Sequence, residues 1–209
     1  MKSPAKQEAF LFAMQYKYYI IYKPYLVLSQ FSASDGKACL KDFFAVEKDV
    51  YPVGRLDYDS EGLLILSNDA ALNHRLLHPQ FVHEREYLAQ CEGLISNKAL
   101  QELSAGVPIN INGSPYHTKP CKAILLKEAP QLPDRNPPIR FRKNIPTSWL
   151  SLTLTEVKNR KVRKMMAYTG FPVLRLIRRR IENILLADMQ PGDMKSLSQR
   201  TIYHQLFGK

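Results

Sequence analysis

The chain has 209 residues, of which 45% are hydrophobic and 23% charged, a composition typical of a globular protein rather than a disordered one. Its formal net charge of +11 favours an anionic partner such as RNA. No apolar stretch approaches the roughly 18 residues that span a bilayer, and the apolar run at 9–14 is shorter than a signal-peptide core, so a cytoplasmic protein without membrane association is expected.

The first half of the chain is predicted to combine strands with short helices. Residues 18–22 are rich in β-forming side chains and stop at Lys23-Pro24, which predicts a strand. Asp69 is a suitable N-cap for a helix over 70–77, and Pro79 would end that helix. The other predicted elements are a turn at 35–37, a short helix at 40–44, a buried strand at 62–66, a strand at 86–92, and a helix that begins after Ser96 and ends at Gly106.

The second half is predicted to contain further strands around a proline-rich segment. Asn112-Gly113 lies between two β-prone segments, which is a strong hairpin signal. The prolines of residues 130–146 exclude a regular helix or a central strand, so an ordered basic loop is predicted. Because strands outnumber helices and no βαβ alternation occurs, the predicted fold class is α+β, with a mostly antiparallel mixed sheet flanked by helices. The remaining elements are strands at 121–126, 149–154 and 173–181, a helix at 159–169 before Gly170, and a terminal helix at 197–206.

An acidic loop precedes the buried strand predicted at 62–66. It contains Asp57, Asp59 and Glu61. Because a buried strand fixes its own ends, Asp57 would be held in a defined position beside the core. Clustered acids alone are equally compatible with a solvated loop, or with a metal site for phosphoryl transfer.

Cysteines and histidines give no evidence of a metal site. The three cysteines are widely spaced, which predicts free thiols rather than a disulfide framework or a cysteine-based zinc site. His74 and His78 have the i, i+4 spacing of metal ligands, but no third ligand accompanies them. A surface helix is the better interpretation of that pair.

Three separated segments resemble one enzyme family. Residues 54–69 begin with Gly54-Arg55-Leu56-Asp57 and continue into the apolar run, as in the RsuA/RluB/RluE/RluF group of RNA pseudouridine synthases. Residues 85–87 resemble the Lys-x-Tyr motif of that group, with Arg85 in place of the usual lysine. Residues 158–165 resemble its basic third motif.

The resemblance implies the pseudouridine synthase catalytic fold, with two sub-lobes and an active-site cleft between them. It implies that Asp57 is the nucleophile, that Tyr87 lies against the target base, and that Arg163 pairs with the Asp57 carboxylate. The reaction breaks the N1–C1′ bond of a flipped-out uridine and joins C5 to C1′. It involves neither a redox change nor phosphoryl transfer, so the resemblance implies no cofactor and no metal.

Further segments look like the RluE branch of this group, which modifies one uridine of bacterial 23S rRNA and lacks an N-terminal S4 RNA-binding domain. Residues 135–140, 145–150 and 170–178 carry this likeness. It implies an N-terminal extension at 1–15, a catalytic domain at 16–209, and a monomer that acts on 23S rRNA or on a large-subunit assembly intermediate. The residues assigned to RNA binding are Lys23, Arg55, Arg135, Arg140, Arg142, Lys143, Arg160, Lys161 and Arg178.

Two other classes of protein remain open from the residues alone. A non-catalytic RNA-binding protein would need only residues 131–209, which hold the whole positive excess because residues 1–130 contain equal numbers of acidic and basic side chains. A metal-dependent nuclease would use Asp57, Asp59 and Glu61 and would lose activity in a chelator. Pseudouridine synthesis is the favoured function, since three separated motifs agree.

Overall fold

The computed structural model describes residues 15–140 and 142–208, so the predicted N-terminal extension lies almost wholly outside the described residues. None of the helices in this part of the chain is long and apolar enough to cross a membrane. The helices are α1 Ala70–Leu77, α2 Asn97–Ala105, α3 Lys161–Tyr168 and α4 Gln199–Phe207. The strands are β1 Tyr18–Lys23, β2 Tyr51–Pro52, β3 Glu61–Ser67, β4 Arg85–Glu92, β5 Pro108–Ile111, β6 Ser114–His117, β7 Lys122–Leu125, β8 Thr147–Leu154, β9 Val173–Ile181, β10 Ile184–Leu185 and β11 Met194–Ser196.

The main sheet has the strand order β11-β1-β3-β9-β4-β8-β7, and β5 and β6 form a separate hairpin. Neighbouring strands along this order are antiparallel except β3 and β9, which run parallel with Glu61 beside Ile177 and Gly62 beside Arg178. The predicted α+β class with a mostly antiparallel mixed sheet is confirmed. The parallel pair positions the site, because it brings the start of β3, where the acidic loop ends, against the centre of β9.

The hydrophobic core lies on both faces of the sheet. Side chains of β3 alternate between two clusters: Leu63 and Ile65 pack with α1 and α4, whereas Leu64 and Leu66 pack against the segment around Leu40. A third cluster lies between β4, β8 and the helices α2 and α3. The sheet therefore has two halves, with β9 between them. Burial on both faces also explains why β3 is a continuous apolar run rather than an alternating one.

Local capping and turn signals are confirmed. The Asp69 carboxylate accepts hydrogen bonds from the amides of Ala71 and Leu72 at the start of α1. Asn112-Gly113 forms the turn between β5 and β6 with φ values of +52° and +87°, as a type I′ turn requires. The Ser96 hydroxyl caps α2.

The starts of two helices differ from the sequence prediction. Helix α3 begins at Lys161 rather than at residue 159, because Arg160 has a left-handed backbone conformation with φ of +50°, which a right-handed helix excludes. The terminal helix begins at Gln199, because Met194–Ser196 forms β11 and pairs with β1. Pairing with a distant strand leaves no local signal in the sequence.

Candidate active site

Asp57 lies on the loop between β2 and β3, and this loop is fixed on both sides of it. The Ser29 hydroxyl donates to the carbonyl of Leu56 at 2.8 Å and accepts from the amide of Leu56 at 3.0 Å. Leu56 is itself buried. On the other side, the amide of Ser60 donates to the carbonyl of Asp57 at 3.0 Å. The backbone at Asp57 is therefore held by a buried leucine and by the turn into β3.

Asp57 and Tyr87 line the same cavity. The Asp57 side chain is 33% exposed, and the cavity of about 70 Å³ beside it is also lined by Arg178 from β9. It adjoins a groove of about 600 Å³ whose walls again include Leu56, Asp57 and Lys158. The fold thus brings together two residues of separate motifs at one cleft between the two halves of the sheet.

Two arginines of the third motif converge on the acidic loop. Arg160 donates to both carboxylate oxygens of Asp59 at 2.8 Å, and its Nη1 lies 3.9 Å from Oδ2 of Asp57. The Nε of Arg163 lies 3.3 Å from Oδ2 of Asp59, and its Nη2 donates to the Asp59 carbonyl. The predicted ion pair between Arg163 and Asp57 is therefore wrong in this structure, because Asp59 is the carboxylate that faces α3.

Asp59 links the Asp57 loop to α3. Burial would raise the pKa of the Asp59 carboxyl, but the hydrogen bonds from Arg160 and the charge of Arg163 outweigh this effect and hold that pKa below its usual range. Asp59 is therefore ionised at neutral pH and keeps both guanidinium groups beside Asp57.

Lys23 is fully buried, with 0% exposure, at the end of β1. Its Nζ donates to the carbonyls of Pro24 and Val27 at 2.8 and 2.7 Å. Burial lowers the pKa of Lys23 to about 7, although the nearby acidic loop opposes this effect. The predicted RNA contact of Lys23 is wrong, because its ammonium group lies inside the protein.

Two further basic residues assigned to RNA are also buried. Lys161 forms an ion pair with Glu156, which is itself nearly inaccessible. Arg178 is 5% exposed, and its Nε donates to the carbonyl of Leu63 at 2.8 Å. The fold encloses both side chains, which argues against a surface phosphate contact, but both line the cavity beside Asp57. Their predicted contact with RNA stays a prediction.

Arg135 holds the proline-rich loop to the body of the protein. Its guanidinium donates to the carbonyls of Pro137, Pro138 and Leu174 at 2.9, 3.1 and 3.1 Å, and it stacks over the ring of Tyr25, 4.1 Å from the centroid. These contacts give Arg135 a structural role and use three of its five N–H donors. Its contact with RNA stays a prediction. The described residues of the loop form no helix or strand, as its prolines predict.

The remaining basic residues are exposed around the cleft and the proline-rich loop. Arg55 and Arg160 line the cavity beside Asp57. Arg140, Arg142 and Lys143 line a pocket of about 530 Å³ in the loop, where Arg142 also pairs with a glutamate of β4 at 2.8 Å. Contact of these five side chains with RNA stays a prediction.

The third acid of the loop, Glu61, is not available to bind a metal. Glu61 is buried and accepts hydrogen bonds from Nε and Nη2 of Arg175 at 3.0 and 2.9 Å. Since Asp59 pairs with two other arginines, the three acids do not converge on one cation. The part of the chain that the structure describes holds no group of three His, Cys, Asp or Glu side chains suited to a metal ion. This geometry argues against the nuclease hypothesis.

Arg85, which replaces the usual lysine of its motif, positions a strand. It is buried and donates to the carbonyls of Leu76 and His83 at 2.8 and 3.1 Å. The Leu76 carbonyl belongs to the last turn of α1, so Arg85 satisfies one of the unpaired carbonyls at that helix end. It thereby fixes the start of β4, the strand that carries Tyr87.

The cysteines and the pair His74 and His78 agree with the sequence prediction. All three cysteines are free, with Cys39 and Cys91 buried and Cys121 half-buried. The rings of His74 and His78 lie 5.0 Å apart on the exposed side of α1. The predicted surface helix accounts for this histidine pair.

Comparison with known proteins agrees with this geometry. Residues 17–168 match the family model described as RNA pseudouridylate synthase. The chain is 45% identical over 181 residues to ribosomal large subunit pseudouridine synthase E of Vibrio parahaemolyticus, which covers 87% of this chain and 74% of the relative. It is 42% identical over 185 residues to the protein of the same name from Xanthomonas campestris pv. campestris. That match covers 88% of this chain and 96% of the relative.

More distant relatives are also pseudouridine synthases. Ribosomal large subunit pseudouridine synthase B of Bacillus subtilis is 31% identical over 186 residues, which cover 88% of this chain and 69% of the relative. A crystal structure of a pseudouridylate synthase matches with a TM-score of 0.73 at 24% identity, covering 91% of this chain and 74% of that one. At this identity the likeness shows the fold alone, which is that of a pseudouridylate synthase. The chain belongs to the RNA pseudouridylate synthase family, and it is an RNA-modifying isomerase rather than a passive RNA-binding protein.

Proposed function

We propose that this enzyme converts one uridine of 23S rRNA into pseudouridine, with Asp57 as the nucleophile. The observation that carries the proposal is that Asp57 and Tyr87 line one cavity, although they belong to separate motifs. The relatives named as large-subunit synthases support the choice of ribosomal RNA. The substrate is free 23S rRNA or a large-subunit assembly intermediate, and the reaction takes place in the cytoplasm.

The chemistry needs one carboxylate nucleophile in a fixed position. An Asp57 oxygen attacks C1′ of the flipped uridine, the N1–C1′ bond breaks, and its electron pair stays on the base. The base turns, C5 bonds to C1′ as Asp57 departs, C5 loses its proton and N1 gains one. Arg160, whose Nη1 is 3.9 Å away, orients the Asp57 carboxylate, and Tyr87 lies against the base and assists proton transfer. Atoms and electrons balance without a cofactor or metal.

Exposed basic side chains around the cleft bind the RNA. Extrusion of the target base costs roughly a few kcal/mol, and contacts between basic side chains and phosphates offset that cost through release of counterions. Arg55 and Arg160 lie at the cleft, and Arg140, Arg142 and Lys143 extend the basic surface along the proline-rich loop. These cations of the catalytic domain would also contribute to selection of the site.

The double variant Arg140→Gln/Lys143→Gln is expected to weaken RNA binding and its salt dependence. Each lost phosphate contact with a single strand removes about 0.7 from the slope of log K against log salt, so the slope should fall by about 1.4. Binding titrations at several salt concentrations measure it.

The matched control is Lys98→Gln/Arg200→Gln, which removes the same charge from exposed positions on α2 and α4, outside the cleft and the loop pocket. Because these positions line neither the cleft nor the loop pocket, the control should leave the slope unchanged. Equal slopes for the two double variants would remove the loop from the RNA-binding surface.

Pseudouridine mapping of large-subunit rRNA tests the function directly. Cells that lack this protein should lose one 23S pseudouridine, and expression of the wild-type chain should restore it. Purified wild-type protein should form the same pseudouridine on 23S rRNA extracted from those cells, or on their large-subunit particles. If every 23S pseudouridine remains in the cells without the protein, the choice of 23S rRNA as substrate is wrong.

A further inference from the structure

Two residues that line the cavity beside Asp57 each have a buried polar atom without a hydrogen-bond partner among the described residues. These atoms are Oγ of Ser60 and Nη2 of Arg178, on residues that are 1% and 5% exposed. A buried donor without a partner costs stability, so such groups are rare in folded proteins unless they serve a ligand. Both residues line the cavity that the proposed nucleophile also lines.

The parallel contact of β3 and β9 fixes both groups. Arg178 lies beside Gly62 in the register, and its Nε is already bound to the Leu63 carbonyl at 2.8 Å. Ser60 immediately precedes β3, and its amide is bound to the Asp57 carbonyl. The guanidinium of Arg178 therefore has its Nε anchored in the sheet, while its Nη2 has no hydrogen-bond partner among the described residues.

Two more buried basic side chains lie behind this wall, although the charges of Glu61, Asp59 and Asp57 oppose the lowering of the Lys23 pKa. Lys23 and Arg85 are buried near Arg178, and the hydrogen bonds of both go to backbone carbonyls. None of the ion pairs in the described residues includes Lys23, Arg85 or Arg178. Burial lowers the pKa of Lys23 and of Arg85, and the charge of Arg178 lowers both further. Buried cations without ion-pair partners favour the binding of an anion next to them.

We propose that Arg178 Nη2 and Ser60 Oγ bind the carbonyl oxygens of the flipped uracil and stabilise the negative charge that this base carries when it leaves C1′. When the N1–C1′ bond breaks, its electron pair stays on the base, and the uracil anion spreads that charge over N1 and its carbonyl oxygens. Donors aimed at the position where charge develops act mainly on the transition state. This inference rests on the proposed function, since it concerns the departing base of that reaction.

The first test uses an RNA that the wild-type enzyme modifies and measures single-turnover rates. Arg178→Met should slow the reaction by about 10²- to 10³-fold, the cost of losing one such donor, while the RNA dissociation constant changes less than about threefold. Arg178→Lys should recover part of the rate because it keeps the charge. The matched control is Arg180→Met on the same strand. The Arg180 guanidinium pairs with Glu84 and Glu86 outside this cavity, so its loss should leave the rate near wild type.

The second test separates charge stabilisation from a merely structural role. An RNA with 5-fluorouridine at the target position has a less basic departing base, so cleavage of its N1–C1′ bond depends less on donors. The defect of Arg178→Met, measured as loss of the N-linked nucleoside, should shrink at least about tenfold on this RNA. Ser60→Ala, which removes one hydroxyl and leaves the backbone contact intact, should show a smaller defect with the same trend.

Four results would overturn the inference while leaving the proposed function standing. Equal defects on both RNAs would indicate a structural role for Arg178. A wild-type rate for Arg178→Met would remove Arg178 from the reaction. Lost RNA affinity with an unchanged rate would identify a backbone phosphate as the bound anion. If Arg178→Met fails to fold, the rates of Ser60→Ala on the two RNAs become the test. Equal defects of Ser60→Ala on both RNAs would reject the proposal.

Discussion

Asp57→Ala is expected to lower the rate of pseudouridine formation by at least about 10⁴-fold, as removal of a covalent nucleophile does in other enzymes. RNA binding should stay within about threefold of wild type, because the exposed cations around the cleft are unchanged. The fold should also persist, since the side chain is 33% exposed and its Oδ2 lies 3.9 Å from Nη1 of Arg160, beyond hydrogen-bond distance. Single-turnover assays on 23S rRNA and binding titrations measure both quantities.

Asp59→Asn is the matched control for this prediction. It removes a neighbouring carboxylate of the same loop, but one whose role is to hold Arg160 and Arg163 beside Asp57. We expect a reduced rate rather than an abolished one, because the nucleophile remains while its orientation is weakened. Full activity of Asp57→Ala, or abolished activity only in Asp59→Asn, would reassign the nucleophile.

Gly62→Ala is expected to destabilise the protein by at least about 3 kcal/mol, in the range of severe strain and overpacking. Gly62 has φ of +105°, and an added Cβ would lie 2.5 Å from the carbonyl oxygen and 2.8 Å from the amide nitrogen of Arg178. Both contacts are with backbone atoms, so no side-chain rotation relieves them. The parallel pair β3–β9 would have to separate. Denaturant unfolding of the wild type and the variant measures the loss.

Gly113→Ala separates crowding from backbone conformation. Gly113 has φ of +87° in the hairpin turn, and no atom of the described residues lies within 4 Å of an added Cβ. Its substitution should cost only about 1 kcal/mol, from the left-handed backbone conformation alone. Equal losses for the two variants would mean that the close approach of β9 to Gly62 does not limit stability.

The sequence predicted well those features that depend on neighbouring residues. Asp69 and Ser96 cap their helices, and Asn112-Gly113 makes its turn, because each is a contact within a few positions of the chain. The continuous apolar run of β3 likewise indicates, from its own residues, a strand that is buried on both faces. Membership of the enzyme family followed from short motifs whose residues are contiguous.

The site was predicted less completely, because its contacts join distant segments. Lys23 and Lys161 were assigned to RNA with the motifs that contain them, yet their burial depends on packing that no local pattern records. The partner of Arg163 could not be inferred either, since it depends on which acid of the loop faces α3. Arg175 was not predicted as a site residue, because an arginine in an alternating strand gives no sign of a buried carboxylate partner.

The contacts that hold the acidic loop have a consequence for the order of folding. Asp59 and Arg160 are separated by 101 positions, and Glu61 and Arg175 by 114. Closing loops of this length costs conformational entropy and comes late in folding. The loop sequence is complete early during synthesis on the ribosome, but the nucleophile acquires its orientation only after α3 and β9 have joined the sheet. Partly made chains would therefore be inactive toward the RNA around them.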